Sequence, residues 1–324
     1  MSKKHSALGA YLIALMFAGC SAAYAQATFP ARPIRIVTAA AGGASDFAAR
    51  VIAQGLTSSF GQQVIVDNRG GGSGVIAAQI VTKSPPDGYT LLLFTSPIWL
   101  LPFVQDNVPY DPVKDFAPIS LIDSSPSVLA VHPSLPVKSV RALIDLAKAR
   151  PGQLNYSRAS AGGPSHLAAE LFKTMAGVKL VEVPYKGGGP AVLALLAGEV
   201  ELSFVSPGAA SAPIKSQRLR ALAVTTAEPS VLFPELPTIA ASGLPGFESI
   251  LVNGMFAPAG TPASIINRLN QEIVQILHRP DVKERFLNTG METVGTSPEK
   301  FEAFVKSEMA KWGKVIKSVG IRGG

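Results

Sequence analysis

Ala39-Ala40-Ala41-Gly42-Gly43-Ala44-Ser45-Asp46 is the stretch on which the reading of the fold turns. Before it stands Ile34-Arg35-Ile36-Val37-Thr38, a β-branched run that predicts a buried strand. After it, Phe47, Val51 and Leu56 recur at helical spacing on the way to Phe60. A strand feeding a helix through small residues leaves backbone N–H groups uncovered at the helix start. Those groups and the positive end of the helix dipole favour an anion. Gly42 and Gly43 keep side chains out of the approach and permit a sharp turn. Ser45 or Asp46 is expected to cap the helix. Taken alone, the junction is a capped helix after a tight turn; the case for a site rests on its recurrence.

The chain has 324 residues, long enough for two domains and a large core. Hydrophobic residues make up 47% and charged residues 16%, which excludes a disordered chain. The net charge is +7, and removal of Lys3 and Lys4 with a leader leaves 27 basic against 22 acidic side chains. The excess is spread evenly, with no basic stripe interleaved with aromatics, so no nucleic-acid partner is expected. It suits an anionic small molecule.

Residues 1–27 read as an export signal. Lys3, Lys4 and His5 give a positive start, and Ala7 to Gly19 is apolar but too short to span a bilayer. Ala23-Tyr24-Ala25 and Ala25-Gln26-Ala27 both fit the small-x-small cleavage pattern. Phe17-Ala18-Gly19-Cys20 offers the alternative of a lipoprotein leader. Cys20 is the only cysteine, so simple cleavage leaves no thiol for a disulfide, a metal or catalysis.

The strand–small loop–helix design repeats along the chain. Thr90 to Phe94 predicts an apolar strand, followed at once by Thr95-Ser96-Pro97. Leu154 to Ser157 predicts another, followed by Arg158-Ala159-Ser160-Ala161-Gly162-Gly163-Pro164-Ser165 and a helix from His166 to Ala176. Leu180 to Val183 leads into Tyr185-Lys186-Gly187-Gly188-Gly189, with Pro190 suited to a first helical turn. Ile119 to Ile122 predicts a strand before a linker at Asp123-Ser124-Ser125-Pro126, and Pro234 to Gly246 reads as the return linker. Ile98 and Trp99 either line a pocket or pack in the core, and core is the expectation for Trp99. The pattern is two α/β lobes joined by two linkers, with the C-terminal helices returning to the first lobe. Ligands of open α/β sheets bind beyond strand carboxyl ends, where these loops gather. One helix N-terminus stabilises an anion by about 0.3–1 kcal/mol, or about 2 when partly buried. Micromolar affinity needs about −8 kcal/mol, so loops from both lobes must act together.

Enzyme chemistry is weakly represented. Gly72-Ser73-Gly74-Val75-Ile76-Ala77 fits a dinucleotide fingerprint, but an exported protein meets little NAD, and no cofactor is expected. Ser160-Ala161-Gly162 matches part of a nucleophile elbow and supplies the rival reading, an exported serine esterase, which needs a histidine beside Ser160. No histidines stand at metal-ligand spacing. Arg158, directly after a strand, either holds a carboxylate through paired hydrogen bonds or extends to solvent.

Several ordered blocks carry a family resemblance. They include Pro33-Ile34-Arg35-Ile36-Val37, Gly42-Gly43-Ala44-Ser45-Asp46 and Gly61-Gln62-Gln63-Val64-Ile65-Val66-Asp67-Asn68-Arg69. Further on stand Pro86-Asp87-Gly88-Tyr89-Thr90, Tyr110-Asp111-Pro112, Val183-Pro184-Tyr185-Lys186-Gly187 and Ala257-Pro258-Ala259-Gly260-Thr261-Pro262. The mature chain closely resembles the periplasmic solute-binding proteins of tripartite tricarboxylate transporters, the Bordetella uptake (Bug) family. The resemblance implies an α/β protein with the two-lobe, type II periplasmic-binding-protein (Venus flytrap) architecture, each lobe a mostly parallel sheet flanked by helices. Lobe I would comprise residues 28–126 and 251–324, and lobe II residues 127–250. It also implies a periplasmic monomer that binds a small carboxylate and passes it to integral-membrane permease subunits, with a sensory role as an alternative.

Junctions and resemblance together give the expected ligand contacts. In the first lobe these are Ala41, Gly42, Gly43, Ser45, Asp46, Thr95 and Ser96. In the second they are Arg158, Ser160, Gly162, Ser165, His166 and Ser206. Three departures from the family pattern bear on the substrate. Ala40-Ala41 replaces a proline before the glycine pair, Val205 follows Phe204 where an aspartate is common, and Arg158 replaces a small residue. They favour a di- or tricarboxylate over an amino acid, and Ile98 and Trp99 leave room for an aromatic, phthalate-type acid.

Overall fold

The computed structural model describes residues 29–71, 74–159 and 162–321. The leader, Gly72-Ser73 and Ser160 lie outside the described residues. The first run of elements is β1 (Ile34–Thr38), α1 (Ala44–Phe60), β2 (Val64–Asn68), α2 (Val75–Thr82), β3 (Thr90–Thr95), α3 (Pro97–Val104) and β4 (Phe116–Ser125). A second run follows: β5 (Val128–Val131), α4 (Val140–Ala149), β6 (Asn155–Arg158), α5 (Pro164–Ala176), β7 (Val181–Pro184), α6 (Gly188–Ala197), β8 (Leu202–Val205), α7 (Pro207–Lys215) and β9 (Arg220–Val224). The chain ends with β10 (Leu251–Pro258), α8 (Ala263–His278), α9 (Pro280–Leu287), β11 (Glu292–Thr293) and α10 (Pro298–Val319).

These strands form two sheets, ordered β11-β4-β10-β3-β1-β2 and β7-β6-β8-β5-β9. The βαβ units pair in parallel as expected: β1 with β2 and β3, β6 with β7 and β8. The sheets are nevertheless mixed, because β10 and β5 run against their neighbours. The reason is the crossing. Val128, which opens β5, pairs with Val205 at the end of β8. Leu251, which opens β10, pairs with Ser125 at the end of β4. A strand entering a sheet at the carboxyl edge of its neighbours must run antiparallel to them. The same registers put the carboxyl ends of both sheets at the crossing.

Apolar faces fill both layers. Ile34, Ile36, Ile52, Leu56, Leu91 and Leu93 pack with α8 side chains Leu269 and Ile273 on one side of the first sheet. Tyr156, Phe172 and Phe247 are fully buried in the second lobe. Trp99 is core, as expected, in edge contact with Phe256 and Phe301 at 5.9 and 6.1 Å. Ile98 is buried with it. Of the C-terminal helices, α8 and α10 pack on β4, and α10 also touches α5.

Three sequence expectations shift. The strand at Ile119 to Ile122 extends to Ser125, absorbing most of the expected linker and shortening the crossing. The stretch from Pro234 to Gly246, read as the return linker, is itself packed: Ile239 N donates to Val224 O, and Ile239 is fully buried. Its prolines and glycines serve turns along the β9 edge. Neither Ser45 nor Asp46 is the helix cap, a position held by Gly43.

Candidate ligand site

On the first sheet, β1 ends at Thr38, whose Oγ1 donates to Leu93 O at 2.7 Å. The chain then turns through Gly42 at φ 86°, a left-handed conformation that a side chain would strain. Asp46 braces the turn from within α1. Its Oδ2 accepts from Gly42 N at 2.9 Å and its Oδ1 from Asn68 Nδ2 at 2.8 Å, with Arg50 Nε 3.0 Å away. Burial pushes the Asp46 carboxyl up, but these hydrogen bonds and the Arg50 charge outweigh it and hold the group below its ordinary range. Asp46 therefore shapes the turn and engages the Gly42 amide. What remains for an anion are the first-turn amides of α1, which lack intrahelical acceptors.

Ser45 is buried and points into the lobe. Its Oγ donates to Asn253 Oδ1 at 2.8 Å, and Asn253 Nδ2 donates to both oxygens of Asp123 at 2.9 and 3.0 Å. Thr95 pairs with Asn253 in the ladder, and Ser96 N donates to Val252 O at 2.9 Å.

The second sheet presents a cavity of about 270 Å³ at the ends of β6, β7 and β8. It is lined by Ala159, Pro164 and Ser165 before and within α5, by Gly188 and Gly189 opening α6, and by Phe204, Val205 and Ser206 leading into α7, with Ser127 and Ser203 behind. Three helices thus begin at one hollow, and none of the described residues lining it carries a charge. Of the expected contacts, Ser165 and Ser206 lie here. Sequence reasoning missed Gly188, Gly189, Ser127 and Ser203; the Gly187-Gly188-Gly189 run was the available signal for the first two.

Gly162 sits in a narrow gap between the lobes, with Ser96, Pro97, Leu251 and Trp312. There, expected contacts from both halves meet. The 41–46 turn lines neither space.

Arg158 and His166 face a different cavity, of about 640 Å³, between α5, β7 and the end of α10. Arg158, the last residue of β6 rather than a loop residue, is only partly exposed and does not line the α6 hollow. Its Nε donates to Glu182 Oε1. Tyr156 OH donates to Glu170 at 2.8 Å, as does Lys173 Nζ at 2.6 Å. His166 Nδ1 accepts from Gly162 N at 3.0 Å, which assigns the ring proton to Nε2, 3.2 Å from Glu182 Oε2. His166, Glu170 and Glu182 converge within 4.8 Å, a spacing that suits a cation. The set does not fit one: Nε2 carries the proton, and Arg158 and Lys173 already neutralise the carboxylates. His166, the histidine nearest Ser160 in the chain, thus has both nitrogens engaged.

Burial holds the His166 pKa below 6.5, partly offset by Glu182 and Glu170. A histidine kept neutral in the fold titrates first in the unfolded chain, so its contribution is complete above about pH 6.5 and declines as pH falls through the folded value. Denaturation midpoints between pH 7 and 5 are expected to fall less in His166→Gln than in the parent protein; parallel profiles would contradict this.

Two lobes with helix-opening loops at a shared crossing define a two-lobe solute-binding protein of the periplasmic type. The chain belongs to the tripartite tricarboxylate transporter family receptors (TctC), whose family model matches residues 48–321. Protein BugT of Bordetella pertussis is 38% identical over 308 residues, covering 94% of each chain. A Rhodopseudomonas palustris protein, Rpa4515, solved with adipate, is 39% identical with a TM-score of 0.73, over 91% of this chain and 100% of that one. A TctC solute-binding protein from Polaromonas, solved with no ligand, is 27% identical with a TM-score of 0.83, over 90% and 100%.

Proposed function

We propose that this protein binds a small aliphatic dicarboxylate of the adipate class between two closing lobes. Residues 28–126 and 251–324 form one lobe and residues 127–250 the other, hinged where Ser125 leads to Val128 and where β10 begins. The observation that carries the reading is the hollow where α5, α6 and α7 all start, uncharged along its described lining, at the edge where β5 enters beside β8. Backbone amides and serine hydroxyls hold the carboxylates there, and no cation or catalytic base is needed. Ile98 and Trp99 are packed in the core, which favours an aliphatic over an aromatic acid. The protein works in the periplasm after loss of residues 1–27 and delivers its ligand to the permease subunits of a tripartite transporter.

Isothermal titration with adipate, shorter and longer dicarboxylates, phthalate and adipamide tests this. Adipate or a neighbour in the series is expected to bind at micromolar concentration or tighter, raising thermal stability by mass action. The neutral diamide is expected not to bind. Absence of binding by every dicarboxylate would overturn the proposal.

A further inference from the structure

Among the described residues, Asp123 is a carboxyl group with no counter-charge paired to it. It is 1% exposed, at the junction of β4 with β10 and β11, and among the described residues its side chain accepts hydrogen bonds from the Asn253 amide. The surrounding elements direct their charges elsewhere. On α1, Asp46 is bound to Gly42, Asn68 and Arg50. On β11, Glu292 accepts from Ser230. On α8, Glu272 pairs with Arg268, and on α9, Asp281 pairs with Arg279 and Arg285 donates to Gln54. The α10 carboxylate Glu308 pairs with Lys311, and Glu299 at its start is fully exposed to water. Burial pushes the Asp123 carboxyl up to about 7, against the opposing Asn253 hydrogen bond.

The group is also wired to the ligand turn. By donating to Asp123, the Asn253 amide is fixed with its oxygen toward Ser45, and Ser45 lies in the first turn of α1. The path from the buried carboxyl to the anion-facing helix start is therefore two hydrogen-bonded side chains long. An anion arriving at that turn adds negative charge to the same water-poor lobe and disfavours ionised Asp123.

We propose that Asp123 is a positioning residue for the first-lobe half of the site, acting through Asn253 and Ser45, and that ligand binding makes the protein take up a proton at Asp123. The inference rests on the dicarboxylate reading above and adds a proton to its stoichiometry. By linkage, affinity is highest where Asp123 is already protonated and falls as pH rises through its ionisation. The dicarboxylate itself is ionised throughout that range.

Titration calorimetry with adipate at pH 7.5, in phosphate and in Tris, tests it on the unaltered protein. The two apparent enthalpies are expected to differ by the uptake of a substantial fraction of a proton per ligand. The Kd is expected to rise at least threefold between pH 6.5 and 8.5. Asp123→Asn keeps an acceptor oxygen for Asn253 but cannot ionise, so it is expected to bind adipate with no proton uptake and a flat pH profile. Asn253→Leu, which cuts the path, is expected to weaken binding about tenfold or more. Equal enthalpies in the two buffers overturn the inference while leaving the dicarboxylate reading intact, as does uptake that persists in Asp123→Asn. Failure of every dicarboxylate to bind the unaltered protein overturns both.

Discussion

Asp46→Ala is expected to weaken adipate binding by about tenfold to a hundredfold, the loss that follows when hydrogen bonds to a charged group, each about 1.5–3 kcal/mol, are removed. Asp46 need not touch the ligand for this. It joins the Gly42 amide, the Asn68 side chain and Arg50 at one point, and so fixes the direction in which the first turn of α1 presents its amides. Without it the turn gains freedom that binding must then remove. Asp46→Asn keeps one acceptor and should recover part of the affinity. Calorimetry with both variants, alongside denaturation to confirm folding, checks the order parent, Asn, Ala. An affinity unchanged in Asp46→Ala would remove the turn from the site.

Gly254→Ala is expected to cost about 3 kcal/mol of stability, the upper part of the range for overpacking a tight core. Gly254 lies in β10, and a Cβ there would overlap the ring of Phe301, itself fully buried beside Trp99 and Phe256. No flexible end can move aside, because three aromatic rings share the space. Gly208→Ala, where nothing lies within 4 Å of the added carbon, serves as the control and should stay within about 0.5 kcal/mol. Urea midpoints compare the two. Similar midpoints would mean that the β10–α10 packing yields more readily than its burial implies.

Much of this architecture was legible in the chain. Short β-branched runs, glycine loops and 3.6-residue stripes marked the βαβ units, because local propensity and burial agree there. The reversed strands β5 and β10 were not legible. Their direction depends on which edge the chain enters, a consequence of the crossing rather than of any residue in them. The packing of the Pro234 to Gly246 stretch was not legible for a related reason: turn residues signal bends, not whether a bend is packed.

For the candidate site, the sequence marked helix-opening loops but not the partners of their side chains. Small residues at helix starts announced the loops at 41–46, 95–97 and 162–165, but polar groups could not be assigned partners from spacing alone. Arg158 looked like a free cation until Glu182, 24 residues later and one strand over, placed a carboxylate beside it. Asp123 looked like linker polarity, whereas Asn253, 130 positions away, makes it part of a buried chain leading to Ser45. Long-range hydrogen bonds of this kind leave no periodic trace.

The most direct test of the account is a crystal structure of the protein with adipate. It is expected to show the lobes closed, one carboxylate on the first-turn amides of α1 and the other at the openings of α5, α6 and α7. A dicarboxylate seated beside Arg158 and His166, with the α6 hollow still open to solvent, would contradict it.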